Sequence, residues 1–277
     1  MGPKRRAGRL DLLAIAGVPV SVALILAGQM LEGGRAHTLF QATAALIVFG
    51  GTAGAVMVSF STAEVMDALR RLPAVFVDRL EPAREAIARV SMYAIKARRL
   101  GVMSLEEDLT DEPDDFLRRA LGLAVDGTSQ SQLRSALEIE MDSLAEADDA
   151  PARVFDAAGG YAPTVGILGA VIGLIHVMEN LAEPAKLGAG IAVAFVATVY
   201  GVGSANLILL PIATKLRIRA AAAARRREML VHAVLAIQDG MNPRILEERL
   251  TAFEAVPARK GTAESPYRGL ALPETRI

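Results

Sequence analysis

Hydrophobic and polar positions are unevenly dealt along this chain. Four stretches contain no Asp, Glu, Lys or Arg: Leu12 to Leu31 (20 residues), Ala36 to Ala63 (28), Ala157 to Met178 (22) and Leu187 to Thr214 (28). Everywhere else, charged and apolar residues are closely mixed. A hydrocarbon core about 30 Å thick is crossed by about 20 helical residues rising about 1.5 Å each. Each stretch is therefore long enough to cross, and buried helices of soluble proteins rarely stay uncharged for so long. The pattern predicts four transmembrane helices over residues 10–31, 39–62, 157–178 and 187–212, joined by short loops at 32–38 and 179–186.

The mixed segments repeat with helical periodicity. Met66, Leu69, Leu72, Phe76, Leu80, Ile87, Val90 and Ala94 recur at mostly helical spacing, with Pro73 and Pro82 as breaks or bends. Ser104 and Glu107 have the spacing of a capping box. Residues 116–125 read as a short helix ending near Gly127. Residues 133–144 read as another, ending in the acidic run Glu146, Asp148, Asp149. No segment shows convincing period-2 alternation. Past the fourth stretch, helical character continues through residues 220–237. Asn242 and Pro243 then make a turn, and residues 244–253 form a last short helix. The expected fold is an all-α integral membrane protein: four transmembrane helices, a large helical loop (63–156) between spans two and three, and a helical C-terminal tail (213–255). The proline-containing end, 256–277, is expected to be mobile.

Charge gives an orientation. Lys4, Arg5, Arg6 and Arg9 precede the first span, and Lys215, Arg217, Arg219, Arg225, Arg226 and Arg227 follow the fourth. The two short loops carry far less positive charge. The positive-inside bias then puts both termini (1–9 and 213–277) and the large loop in the cytoplasm. That loop is acidic, with 12 Lys and Arg against 20 Asp and Glu, whereas the tail beside the membrane is basic.

The whole-chain composition adds exclusions. The formal net charge of -1 gives no reason to expect nucleic acid. Without cysteine there are no disulfides and no thiol-ligated metals. No phosphate loop, metal-ligand cluster or nucleophile–base arrangement is visible, so no enzyme chemistry, cofactor or metal is expected. The acidic run from Glu106 to Asp115 reads as a solvated surface.

Inside the spans, small residues stand four apart: Gly50 and Gly54, Gly166 and Ala170, Gly169 and Gly173, Ala194 and Thr198, Gly201 and Ala205. Such faces let helices approach closely in lipid. The only ionisable side chains there besides tyrosine are His37 and His176, near the outer ends, whereas ion carriers place a carboxylate or a base within the membrane. If this chain moves ions, another chain supplies the charged site. Pro163 and Pro211 lie near the cytoplasmic ends of spans three and four, either as helix-end prolines or as a pair of flexing points. Ala170 and Thr198 lie near the midpoints of the same spans. The Thr198 hydroxyl either bonds back to its own helix or faces an ion path.

With these residues in place the chain resembles a known family. Gly160-Tyr-Ala-Pro-Thr-Val-Gly-Ile-Leu-Gly-Ala-Val-Ile-Gly-Leu-Ile-His-Val-Met-Glu-Asn180 resembles span three of the MotA/PomA flagellar stator subunits. Gly190-Ile-Ala-Val-Ala-Phe-Val-Ala-Thr-Val-Tyr-Gly-Val-Gly-Ser-Ala-Asn206, continuing to Pro211-Ile-Ala-Thr-Lys-Leu216, resembles span four. Val234-Leu-Ala-Ile-Gln-Asp-Gly-Met-Asn-Pro-Arg244 is similar to the tail of the PomA-like branch, and residues 96–107 to the rotor-facing part of the loop. The likeness covers roughly residues 10–250.

The resemblance implies a stator subunit of the bacterial inner membrane. It implies assembly into a homo-oligomeric, five-membered ring around a MotB-type partner with a single span and an intramembrane Asp. Ion flow would turn the ring and drive the rotor protein FliG. Arg98 and Glu106 fall where the family places rotor-contacting charges, with Arg99 and Glu107 beside them; on the residues alone they read as a solvated face. Pro163 and Pro211 match the prolines linked to coupling, and Thr198 a threonine at the ion path. Sodium-driven members carry a threonine where this chain has Ala170. A dehydrated sodium ion wants several oxygen ligands, so the expected ion is H+ rather than Na+. The competing resemblance is to ExbB/TolQ-type subunits, which energise outer-membrane processes. They have three spans, and the second stretch here argues against them.

Overall fold

The computed structural model describes residues 9–34, 36–78 and 81–255, so the expected cytoplasmic N-terminus up to residue 8 and the expected mobile end lie outside the described residues. The fold is all-α, and among the described residues four helices are long and apolar enough to cross a membrane. The first two are α1 (Leu12–Leu31) and α2 (Ala42–Ser59). The loop between spans two and three holds α3 (Thr62–Arg71), the single turn α4 (Pro73–Phe76), α5 (Ala83–Leu100), the short α6 (Glu106–Leu109) and α7 (Asp115–Val125). Helix α8 (Gln130–Glu179) contains span three. Helix α9 (Pro184–Ser204) passes through a π-helical turn (Ala205–Leu209) into α10 (Leu210–Gln238), and α11 (Pro243–Ala255) closes the chain.

Two local expectations change. Residues 133–144 do not end at the acidic run but belong to α8, which is 50 residues long and contains both Pro151 and Pro163. The acidic run continues as helix because distant arginines neutralise it. Asp148 receives Arg71 at 2.9 Å and Arg227 at 2.7 Å, and Asp149 lies 3.9 Å from Arg217. Ser104 caps nothing: its hydroxyl donates to the Gly101 carbonyl at 2.6 Å, inside a 3-10 turn that spans Val102–Leu105. The capping box present in the chain is at the start of α3, where Ser61 and Glu64 bond reciprocally.

Spans three and four form the centre of the membrane part. Gly166, Gly169 and Gly173 on α8 face Ala197, Gly201, Ala194 and Gly190 on α9 so closely that a Cβ has no room. A Cβ on Gly201 would stand 2.6 Å from the Ala162 carbonyl, and one on Gly173 would stand 2.8 Å from the Ala194 nitrogen. The listener on the third side is α2: Ala44 and Val48 pack on Val196 and Ala197, and Gly51 meets Val165. By contrast, Gly50 and Gly54 meet nothing within 4 Å, so that pair is not used inside the subunit.

Helix α1 stands apart. None of its residues is buried. Its start is fixed by Asp11, whose carboxylate accepts the Ala14 N–H at 3.1 Å and pairs with Lys215. Arg9–Leu10 and Val77–Asp78 add a two-residue antiparallel ladder, the one strand pairing among the described residues. Between α1 and the turn leading into α10 runs a groove of about 1000 Å³, lined by Leu13, Gly17, Val18, Ile208 and Pro211 among others.

The polar lobe has its own core. Apolar faces of α5, α7, the start of α8, the end of α10 and α11 meet there, including Val90, Leu105, Leu117, Leu133, Leu230 and Leu250. A buried carboxylate, Glu112, only 2% exposed, sits at its edge, so the acidic run from Glu106 to Asp115 is not the wholly solvated surface expected of it. Glu112 lies 3.1 Å from the Arg89 guanidinium and accepts the Tyr93 hydroxyl at 2.8 Å and the Asp114 N–H at 2.8 Å. Burial, with the Glu112 carboxylate next, pushes the Tyr93 phenol well above its usual range. Arg89 also grips Glu81 at 2.8 Å, and Arg226 joins Glu81 to Asp114. Burial of Glu81 favours its neutral form, but the two arginines outweigh that and hold the carboxyl below its usual range. This network ties α5 and the segment before α7 to α10.

Two predictions follow from packing and pairing. Gly201→Ala will destabilise the subunit by about 1–3 kcal/mol through overpacking, whereas Gly17→Ala, which meets nothing within 4 Å, will be neutral or slightly stabilising; melting in detergent checks both. Glu112→Ala takes the acceptor from the Tyr93 hydroxyl and the Asp114 N–H and leaves Arg89 paired with Glu81 alone, at a cost of about 1–3 kcal/mol, and limited proteolysis of the lobe should report it.

Candidate functional site

The sequence-selected residues fall into two places. Arg98 and Arg99 are exposed in the last turn of α5, and Glu106 and Glu107 are exposed in the first turn of α6. The chain reverses between them at Gly101, whose φ of 86° is a left-handed conformation that a side chain disfavours. Lys96 and Asp108, 2.6 Å apart, strap the two arms together. The structure thus gathers all four charges onto one bend. None of them has an ion-pair partner among the described residues.

The second place is the α8–α9 seam. Ala170 and Thr198 follow directly on Gly169 and Ala197, and a Cβ on Gly169 would lie 2.8 Å from that of Ala197, so the two residues share a level. Both are half-buried. The Thr198 hydroxyl donates to the Ala194 carbonyl at 3.3 Å, back to its own helix. Pro163 is half-buried within α8. Its missing N–H leaves the carbonyl four residues earlier, at Gly159, without its helical donor. Pro211 lies in the first turn of α10, exposed on the α1 groove. The π-helical turn Ala205–Leu209 immediately before it widens the helix where the proline ring would otherwise press on a carbonyl. Pro163 and Ala170 therefore share α8, while Thr198 on α9 and Pro211 on α10 stand on either side of the π-helical turn. His176 is exposed, 3.8 Å from Glu179, and the side chain of His37 lies outside the described residues.

Sequence reasoning missed Tyr200. Its hydroxyl donates to the Leu39 carbonyl at 2.6 Å and accepts the Gln41 N–H at 3.2 Å, where the chain enters α2. Its ring stacks on Phe49 at 5.7 Å. Backbone groups outside a helix cannot stay unpaired in lipid, and Tyr200 pairs two of them. A tyrosine inside an otherwise apolar span was the available signal, because its hydroxyl needs a partner when buried.

Comparisons with known proteins agree with the four-span, all-α fold. The profile of the MotA/TolQ/ExbB proton channel family matches residues 109–229, and that of the motility protein A N-terminal region matches residues 15–94. Motility protein A of Bacillus subtilis is 32% identical over 251 residues, covering 90% of this chain and 92% of its own length. The chain belongs to the MotA/PomA motility protein family. Chemotaxis protein PomA of Vibrio alginolyticus is 30% identical, over 88% of this chain and 95% of its own. The C. jejuni MotAB structure superposes with a TM-score of 0.83 at 33% identity, covering 88% of this chain and 96% of that one. The Bacillus subtilis MotAB stator complex gives 0.78 at 33% identity, with 87% and 93% covered. As in those relatives, this is a multi-pass membrane protein of a motor-stator family, which is not an enzyme family. The match to the motility N-terminal profile begins within the first span and runs through the second into α5.

One prediction tests the tyrosine contact. The chain has no cysteine, so Ala44→Cys, at a position 0% exposed, introduces a single thiol under the contact. Adding Tyr200→Phe removes two hydrogen bonds, worth about 1–3 kcal/mol together, and should raise the rate of maleimide labelling about fivefold or more.

Proposed function

We propose that this chain is the ring-forming subunit of a flagellar stator. It works with a MotB-type single-span partner to convert ion flow into torque on the rotor protein FliG. One observation carries the reading: four spans without Asp, Glu, Lys or Arg, in a subunit whose backbone follows those of MotAB stator complexes over nearly its whole length. An ion cannot cross such a bundle without a titratable or liganding group, so the partner supplies an intramembrane Asp. Five copies surround the partner. The chain sits in the bacterial inner membrane with both termini and the polar lobe in the cytoplasm, as the basic flanks of spans one and four require.

The translocated ion is H+. A sodium ion stripped of water needs several oxygen ligands, and Ala170 offers none from its side chain, while the Thr198 oxygen is already bonded to its own helix. A proton needs only the partner carboxylate. Pro163 and Pro211 let spans three and four adjust when that carboxylate changes charge, and Arg98, Arg99, Glu106 and Glu107 transmit the movement to the rotor.

Three results test this. A single-span protein with an intramembrane Asp and a peptidoglycan-binding domain should co-purify with the chain; absence of any such partner counts against a stator. Swimming speed should not change with external Na+ at fixed proton motive force, and a speed that tracks Na+ overturns the proton assignment. Arg98→Asp combined with Glu106→Lys should abolish rotation with membrane levels unchanged; intact rotation would remove the rotor-contact assignment.

A further inference from the structure

The bend between α5 and α6 presents more than charge. Leu100 is 71% exposed and Met103 is 72% exposed, and both stand at its tip. They lie in sequence between Arg98 and Arg99 on one arm and Glu106 and Glu107 on the other. Large apolar side chains exposed singly are ordinary on a protein surface, but a contiguous group rimmed by charge marks a contact surface. Met92 and Ile95, also exposed, stand on α5 at helical spacing from Arg99 and extend the apolar surface along that helix.

The exposure is not a loose loop's. Leu105, in the same bend, is 0% exposed and anchors it in the lobe core. Gly101 donates its N–H to the Ala97 carbonyl at 2.8 Å, and its own carbonyl accepts both the N–H and the hydroxyl of Ser104. With the Lys96–Asp108 strap, the bend is a fixed knob that turns one leucine in and leaves Leu100 and Met103 out. The bend sits away from the membrane: Leu105 belongs to the same core as Leu230, which is 15 residues beyond Lys215, or about 22 Å further along the helix.

We propose that Leu100 and Met103 form the apolar centre of the rotor-docking surface. They seat in an apolar recess on the rotor protein, with acidic side chains where the recess meets Arg98 and Arg99 and basic ones where it meets Glu106 and Glu107. The assignment rests on the stator reading above. In it, the charges set encounter rate and register, and the two apolar side chains supply the affinity, as an interface with a desolvated centre and a charged rim requires.

The test measures binding of purified FliG to the intact complex of this chain with its partner, at low salt and at about 1 M salt, where the Debye length falls to about 3 Å. The double variant Leu100→Asn, Met103→Asn should bind about tenfold or more weakly at both salts, while melting with the parent complex. The exchange Leu100→Met, Met103→Leu keeps the apolar volume and should bind within about twofold of the parent. Equal affinity of the asparagine variant and the parent at both salts overturns the proposal. So does a variant that loses subunits from the ring yet keeps its rotor affinity, because Leu100 and Met103 would then face a second copy. If the parent itself does not bind FliG at any salt, the stator reading fails, and this proposal fails with it.

Discussion

Backbone touching backbone at the α8–α9 seam is the contact on which the rest of the subunit depends. Lipid is as apolar as leucine, so no hydrophobic force drives spans three and four together; close packing must do it. Gly166, Gly173 and Gly201 let one helix rest on the carbonyls and nitrogens of the other. Once that pair is fixed, Tyr200 can reach the entry of α2, and Ala44 and Val48 have a surface to settle on. Below the seam the same two helices leave the membrane side by side, and their polar faces set the position of the lobe.

How the bundle treats its polar atoms follows the same economy. Ser21 bonds to Gly17, Thr198 to Ala194, Ser204 to Gly201 and Asn206 to Val202, each within its own helix. The hydroxyl of Thr52 is buried without a hydrogen-bond partner in the subunit. Among the hydrogen bonds of the described residues, tyrosines link one span's polar groups to another's: Tyr200 to the entry of α2, and Tyr161 to Ser59 at 2.8 Å. The spans therefore hold together by shape, and their hydrogen bonding mostly keeps each helix intact on its own.

Much of this was legible in the sequence, because the bilayer imposes a length and a composition that a run without charge displays directly. The four spans and the all-α class follow from that constraint alone. The four-residue spacing of small residues was also visible, but not which face would be used. Gly169 and Gly173 are packed, while Gly50 and Gly54, with identical spacing, are open. Local stop signals misled where remote charges intervene: Asp148 and Asp149 look like a helix end until Arg71, Arg217 and Arg227 arrive from other helices. Tyr200 stood out as the lone tyrosine in its span, but its partners could not be read, because Leu39 and Gln41 lie about 160 residues away and matter only where the chain is not helical. For the α5–α6 bend, the charges were visible in the sequence. That Leu100 and Met103 point out while Leu105 points in depends on the conformation at Gly101.

The continuity of α8 has a mechanical consequence. From Gly166 in the seam to Gln130 in the lobe the helix runs unbroken through 36 residue steps, an arm of about 54 Å. Two prolines lie along it, yet it is braced where it leaves the membrane by Arg71, Arg217 and Arg227. If α8 and the helices paired to it tilt together by about 5° about the seam, the far end of the arm is displaced by about 5 Å, roughly the rise of one helical turn. A small change of angle between the glycines would thus be read at the lobe as a displacement of ångströms, carried by α8 together with the α3 and α10 segments paired to it.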